Sequence, residues 1–318
     1  MSHGPSLAEQ RAAGRTPDAL QAKALGLRFP LKANAVFSFA SGLTMLLWSA
    51  ELSELATVGP DFSYQAVGAC LLVFALMLLK ASVRPTPIQV LAFVGADMAW
   101  IIGTTLGGLL LIGELSLYGW LALAAVNATV GVLAYLQYRS ILAYFSAPAG
   151  SRERFRLCLH VDVSVRPEAL WPVVSNLGAI KNYVPTLRSS ALTVGDRPGT
   201  GCVRTCESSS GSKWSERCDH WVENESFEMT FLTEETGFPF PFSLMRGGWQ
   251  VRPQAAGSYV EIWWQVTPRI AAGAGLLLPM MQTRLAKDMA KVVANMASAS
   301  SHLAERGTSN RIKTLVPC

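Results

Sequence analysis

The chain carries no lysine or arginine from residue 33 to 79, and none again from 85 to 138. Stretches of that length filled with Ala, Leu, Val, Phe and Gly lack the polar stripe that a surface helix of a water-soluble protein needs. Four apolar segments occupy the two gaps, at 33–55, 64–79, 88–113 and 117–138. A helix that crosses a bilayer takes about 20 mostly apolar residues. Three segments meet that length. The second reaches it only with its polar flanks or by local thinning of the bilayer. The first half therefore reads as an α-helical membrane domain with four transmembrane helices. The low overall share of charged residues, 15%, belongs to this half.

The flanking charges orient the spans. Arg11, Arg15, Lys23, Arg28 and Lys32 precede the first, Lys80 and Arg84 lie between the second and third, and Arg139, Arg152 and Arg154 follow the fourth. The other two loops hold Glu51, Glu54, Asp61 and Glu114 without a basic residue. Positive flanks stay cytoplasmic. The expectation is a multi-pass protein of the cell (inner) membrane, with both termini and everything after Arg139 in the cytoplasm. Trp48, Tyr118 and Trp120 suit aromatic anchoring at the outer ends. The first 30 residues are polar and lack the apolar core of a cleaved signal.

In a reducing cytoplasm no disulfide is expected among Cys158, Cys202, Cys206, Cys218 and Cys318. Cys202 and Cys206 are four apart with no nearby histidine, so they lack zinc-ligand spacing and read as small hydrophobes on one strand. No metal or other cofactor is expected. The net charge of +5 is mild and gives no reason to invoke a nucleic-acid partner. The partner that the spans themselves imply is the lipid bilayer.

Inside the spans, Asp97 lies about 13 Å into the bilayer, and Asn127 reaches a similar depth. A carboxyl there needs a partner. It is either a proton or ligand site or an interhelical hydrogen bond that fixes the bundle, and a single acidic group favours the second. Ala99, Gly103 and Gly107 form a small-residue stripe that lets helices approach within one bundle or between copies, which is the ground for a homo-oligomer through the transmembrane helices.

After a Pro/Gly/Ser linker the pattern changes to period two. Phe155, Leu157, Leu159, Val161, Val163 and Val165 alternate with Arg156, Cys158, His160, Asp162 and Ser164, the signature of a half-buried strand. Short helices follow at 168–175 and 177–183. Strands are expected near 189–194, 201–208, 213–222, 227–233, 244–251 and 258–266. A long helix over 279–303 has Pro279 in its first turn and an apolar stripe of Leu285, Met289, Val292, Val293, Met296 and Leu303. The segment 237–249, with three Phe and two Pro, is too broken for a central strand. It and the apolar stretch 270–281 read either as packing beneath a loop or as a pocket lip that touches a bilayer. The expected organisation is a tail (1–31), the membrane domain (32–145), a linker (146–152), a ligand-binding domain (153–305) and a second tail (306–318).

The order strand, two helices, six strands, long helix, with the runs EALWPVVSNLGAIKNYVP (168–185), GTGCVR (199–204) and WSER (214–217), resembles the START-like superfamily, the SRPBCC group. Its members include polyketide cyclases/dehydrases and lipid-binding proteins. The resemblance covers the second half only. It implies an α+β helix-grip domain, a curved antiparallel sheet around a long C-terminal helix, with an apolar cavity between them for a hydrophobic small-molecule ligand.

Parity then nominates the lining. Phe227, Met229 and Phe231 share one face, as do Trp214, Glu216, Cys218 and His220. Lys213, Arg217 and Asp219 take the solvent side. In the hormone-receptor branch of the superfamily a carboxylate matching Glu216 contacts ligand, a pocket lysine stands where this chain has Arg188, and a second pocket carboxylate matches Glu261. Val260, Ile262 and Trp264 are apolar beside Glu261, so parity leaves its direction open. With Trp249 and Met289, these residues make the candidate ligand-binding set. Arg188, Glu216 and Glu261 would orient a ligand carbonyl or hydroxyl, or pair with one another and hold the sheet. Glu216, Arg188 and His220 are the candidates for catalysis. No nucleophile–base pair, metal-ligand spacing or phosphate loop is present. The leading expectation is a membrane-anchored binding protein for a lipid, isoprenoid or polyketide-like ligand. The alternatives are a tethered polyketide cyclase/dehydratase and a ligand-sensing or scaffold membrane protein.

Overall fold

A computed structural model describes residues 17–303 and 315–317. The chain divides into two compact units between Tyr144 and Phe145.

The first unit is helical: α1 (Pro17–Leu47), α2 (Ser49–Ala56), α3 (Asp61–Val83), α4 (Pro87–Leu110) and α5 (Leu117–Tyr144). The last three are each long and apolar enough to cross a membrane. α1 and α2 make a fourth span only as a bent pair, turning by 89°. The first apolar segment is therefore not one straight helix. Trp48 leaves the helical region at φ −121° and ψ 38°, and Glu51 and Glu54 fall beyond the bend. Two carboxylates continued along α1 would be costly in hydrocarbon. The second segment, short when read as 64–79, is a full helix of 23 residues and has the highest mean hydropathy of the three straight spans, 2.3. Thr86 opens α4 with a reciprocal cap to Gln89, followed by Pro87.

This unit is apolar outside and holds a small polar centre inside. Leu76, Ile102 and Val132 are open to the surroundings, while Asn34, Ser38, Asp97 and Gln137 are buried. The Asp97 carboxylate accepts hydrogen bonds at Oδ2 from Asn34 Nδ2 and from Gln137 Nε2, each at 2.8 Å. One carboxylate thus joins α1, α4 and α5. Asn127 does not meet it, and bonds Thr104 and Thr105 of α4 instead. The expected small-residue stripe is not where helices of one chain touch: a side chain at Gly103 or Gly107 would meet nothing within 4 Å. The close approach is between α1 and α3, where a Cβ on Gly42 would lie 2.8 Å from the Gly68 carbonyl and one on Gly68 would lie 2.7 Å from the Gly42 carbonyl. Only hydrogen fits on either side.

The second unit begins with β1 (Phe155–Val163), α6 (Pro167–Val174) and a 3-10 turn (Leu177–Asn182). Then come β2 (Leu187–Val194), β3 (Val203–Ser208), β4 (Lys213–Val222), β5 (Ser226–Phe231), β6 (Phe242–Gln254), β7 (Gly257–Pro268), α7 (Ala274–Leu303) and β8 (Leu315–Pro317). The sheet runs β2-β3-β4-β5-β6-β7-β1-β8 and every neighbouring pair is antiparallel. It curves around α7 in the helix-grip arrangement. The alternating apolar residues of β1, Val161 and Val163, meet Val260 and Ile262 of β7, Phe227 and Met229 of β5, and Val292, Val293 and Met296 of α7 in one core.

Three elements differ from the sequence reading. The Phe/Pro-rich segment does contribute a central strand, β6, because Pro239 and Pro241 end before it begins at Phe242 and cost it no ladder bond. Gly248 lets this strand lie under an indole: a Cβ there would sit 2.6 Å from the Trp263 ring. α7 starts at Ala274, so Pro279 lies inside the helix. The apolar run ahead of it is helical because Ala274 and Leu278 are buried. Leu315–Pro317, placed in a tail by the sequence reading, pairs with the outer edge of β1.

Candidate functional site

The inner face of the sheet follows from the registers. Arg204 of β3 stands opposite Glu216 of β4, and Cys206 opposite Trp214. Glu216 in turn stands opposite Phe231, and Cys218 opposite Met229. Arg204 and Glu216 are both buried and form an ion pair through Nη2 and Oε2. The other Glu216 oxygen accepts a hydrogen bond from Trp214 Nε1 at 2.7 Å. Arg204 Nη1 reaches the Leu177 carbonyl at 3.4 Å, while Arg204 Nε is buried without a hydrogen-bond partner. Burial works against the guanidinium charge, but the adjacent Glu216 outweighs it and leaves the Arg204 pKa above its ordinary value. Burial also pushes the neighbouring thiols up, Cys206 to about 11 and Cys218 to about 12. Both are therefore protonated, apolar side chains at neutral pH and not nucleophiles.

Around this pair the surface is aromatic. Phe240 packs edge-on against Trp214, Phe231 and Phe238, with ring centroids 5.2, 6.2 and 5.4 Å away. Phe238 lines a cleft of about 380 Å³ with Thr233, Glu234, Glu235, Gly237, Ser243 and Arg269. Trp249, Trp264 and Met289 pack against the core but stay partly exposed. Ring contacts thus link Phe238 at the cleft through Phe240 to Trp214, which hydrogen-bonds Glu216.

The sequence-nominated residues divide. Glu216, Trp214, Phe231, Trp249 and Met289 lie on the inner side, with Phe227 and Met229 fully within the core. Three nominated residues do not. A bulge between Cys218 and His220 resets the parity of β4, so His220 stands opposite Glu228 on the outer face and Trp221 takes the inner place opposite Phe227. Arg188 falls in a register shift of β2; its side chain is 65% exposed and pairs with Glu207 at 3.3 Å. Glu261 alternates with the core residues Val260 and Ile262 and so points outward, where Arg156 Nη2 holds its Oε1 at 2.6 Å. The expected Arg188–Glu216–Glu261 cluster therefore does not form. Arg204, the actual partner of Glu216, was missed. Its signal was present: an arginine placed at period two between Cys202 and Cys206 is on their buried face.

The cysteines also depart from expectation in one place. Cys70, Cys202, Cys206 and Cys218 are free, but Cys158 is disulfide-bonded. A compartment argument ranks redox environments and does not see which thiols the fold brings together. Cys318 lies outside the described residues, as do Arg11 and Arg15 of the first basic flank.

Residues 154–300 match the family model described as polyketide cyclase/dehydrase and lipid transport. Similar solved structures cover the same half. The protein XoxI of Bacillus cereus is 18% identical, covers 48% of this chain and 99% of its own, and has a TM-score of 0.38. A START superfamily protein of Mycobacterium smegmatis is 11% identical over 47% of this chain and 99% of its own, with a TM-score of 0.38. The ZhuI aromatase/cyclase of a Streptomyces species is 16% identical over 46% and 94%, with a TM-score of 0.37. No protein of curated function matches the chain by sequence.

Proposed function

We propose that the second unit binds a lipid-, isoprenoid- or polyketide-like molecule between the sheet and α7, and that the first unit holds it at a membrane. The observation that carries this reading is the unpartnered Arg204 Nε, buried beside Glu216 on the inner, aromatic face. A buried donor left without an acceptor costs about 1–3 kcal/mol, so a ligand oxygen delivered there would be held firmly. The family match over residues 154–300 points the same way. A cyclase or dehydratase would need an acid–base group facing the cavity that is not already committed to protein partners. Both Glu216 oxygens are engaged, and the other two catalytic candidates face outward, so binding is favoured over turnover.

Protein extracted gently from membranes is expected to carry a hydrophobic molecule of defined mass, visible by native mass spectrometry. Phe240→Ala, at the opening, should lower the retained fraction several-fold while the melting profile stays in place. A preparation that is empty under every mild condition would overturn the reading.

The proposal includes an orientation, with the second unit in the cytoplasm beside the basic flanks. A reporter that works only in the cytoplasm, fused behind Cys318, should be active. A silent but full-length fusion would reverse the topology.

A further inference from the structure

The outer face of the sheet, opposite the aromatic surface, holds a second constellation that the proposed ligand site does not use. Cys158 and His160 are two apart on β1 and so point the same way. Glu261 of β7 stands directly opposite His160. Cys158 Sγ is 3.7 Å from His160 Nε2 and 3.9 Å from Glu261 Oε1, and His160 Nε2 is 3.9 Å from Glu261 Oε2. Cys158 and Glu261 are buried and His160 half-buried. A tetrahedral zinc ion with sulfur at about 2.3 Å and nitrogen or oxygen at about 2.0 Å has ligand–ligand edges of about 3.3–3.5 Å. One donor atom from each residue lies within 4.8 Å of the other two, so they would close onto such an ion by about an ångström or less. Arg156 grips Glu261 through Oε1, which leaves Oε2 on the histidine side and fixes the carboxylate as an outer-shell donor does in metal sites.

One feature controls access: Cys158 is disulfide-bonded, and a sulfur so engaged is not a metal ligand. We infer that Cys158, His160 and Glu261 form a redox-gated site for a zinc-class divalent ion, closed while the disulfide stands and opened by its reduction. The mixed sulfur, nitrogen and oxygen donors select a borderline ion over magnesium or calcium. Opening consumes a dithiol reductant. Its two thiols become a disulfide, the Cys158 S–S bond breaks, and two electrons and two protons convert its sulfurs to thiols. The Cys158 thiol releases its proton to solvent as the metal–sulfur bond forms. With three protein donors, water completes the tetrahedron.

The test uses the full chain in detergent or nanodiscs, oxidised or reduced with a phosphine and then titrated with cobalt(II). The reduced protein should bind one equivalent with a near-ultraviolet sulfur-to-cobalt band that zinc(II) bleaches, and the oxidised protein should not. Cys158→Ser should abolish the band. His160→Ala, at a half-buried position, should weaken binding more than about tenfold while the melting profile shows the fold retained. No band after reduction overturns the inference. So does equal binding by the oxidised protein, or an undiminished band in either variant, which would assign the metal to the inner-face cysteines.

Discussion

Glu216→Ala is expected to destabilise the second unit by about 3–5 kcal/mol, the cost of leaving a buried charge without its partner. For a unit of this size that is a fall in melting temperature on the order of 10 °C. Thermal unfolding of the full chain followed by tryptophan fluorescence would measure it. Arg204 has nowhere to turn: its side chain is 7% exposed, its Nη1 already reaches the Leu177 carbonyl, and its Nε is unpartnered. The double change Arg204→Met with Glu216→Leu should recover most of the loss, because a matched apolar pair avoids the desolvation of both ions. The same pair of variants separates structure from recognition. If the ion pair also anchors a ligand, the double variant regains its melting temperature but not its bound molecule. A single-variant loss below about 1 kcal/mol would mean that water screens the pair, contrary to its burial.

Trp171→Ala should cost about 3–5 kcal/mol, through lost burial and the cavity left behind. Trp171 is 1% exposed in the centre of the core, edge-on to Trp221 at 5.5 Å and tilted to Phe227 at 6.2 Å. Its indole donates to Glu223 Oε1 at 2.9 Å while Trp221 donates to the other oxygen at 2.8 Å. One exposed carboxylate thus ties α6 to β4. Trp171→Phe keeps most of the ring volume and loses this bond, so a loss of about 1–2 kcal/mol is expected. Equal losses for the two variants, in the same unfolding experiment, would show that the bond and not the packing holds α6 in place.

What the sequence discloses about this protein depends on whether the signal is periodic. The charge-free gaps and the alternation from Phe155 to Val165 are regular over many residues, and both survive in the structure as apolar helices and as β1. Parity is reliable only until a strand slips. It places Glu216 correctly and fails two steps past it at His220, because the extra residue of a bulge leaves no mark in the pattern. Arg188 came from the resemblance and not from parity; it falls at a register shift at the start of β2, and its side chain is exposed. Glu261 was ambiguous because both faces of β7 carry large apolar groups, one buried under α7 and the other, Trp263, flanked by the Arg156 and Arg246 guanidiniums. The Cys158–His160–Glu261 group escapes a spacing search altogether. Its members come from two strands about 100 residues apart in sequence and meet only through the β1–β7 register.

The hydrogen bonds around Asp97 bear on how the protein is made. The carboxylate draws its donors from the first helix and the last, Asn34 and Gln137. On the proposed membrane reading, the helices before α5 would enter the bilayer with Asn34 available, and the set would be incomplete until α5 follows. A chain stopped before residue 117 would lack Gln137 and leave the Asp97 carboxyl with the Asn34 hydrogen bond only. If the first unit is the anchor proposed above, delivery of α5 would complete this polar centre before the second unit is made, and a completed anchor would precede the domain it holds.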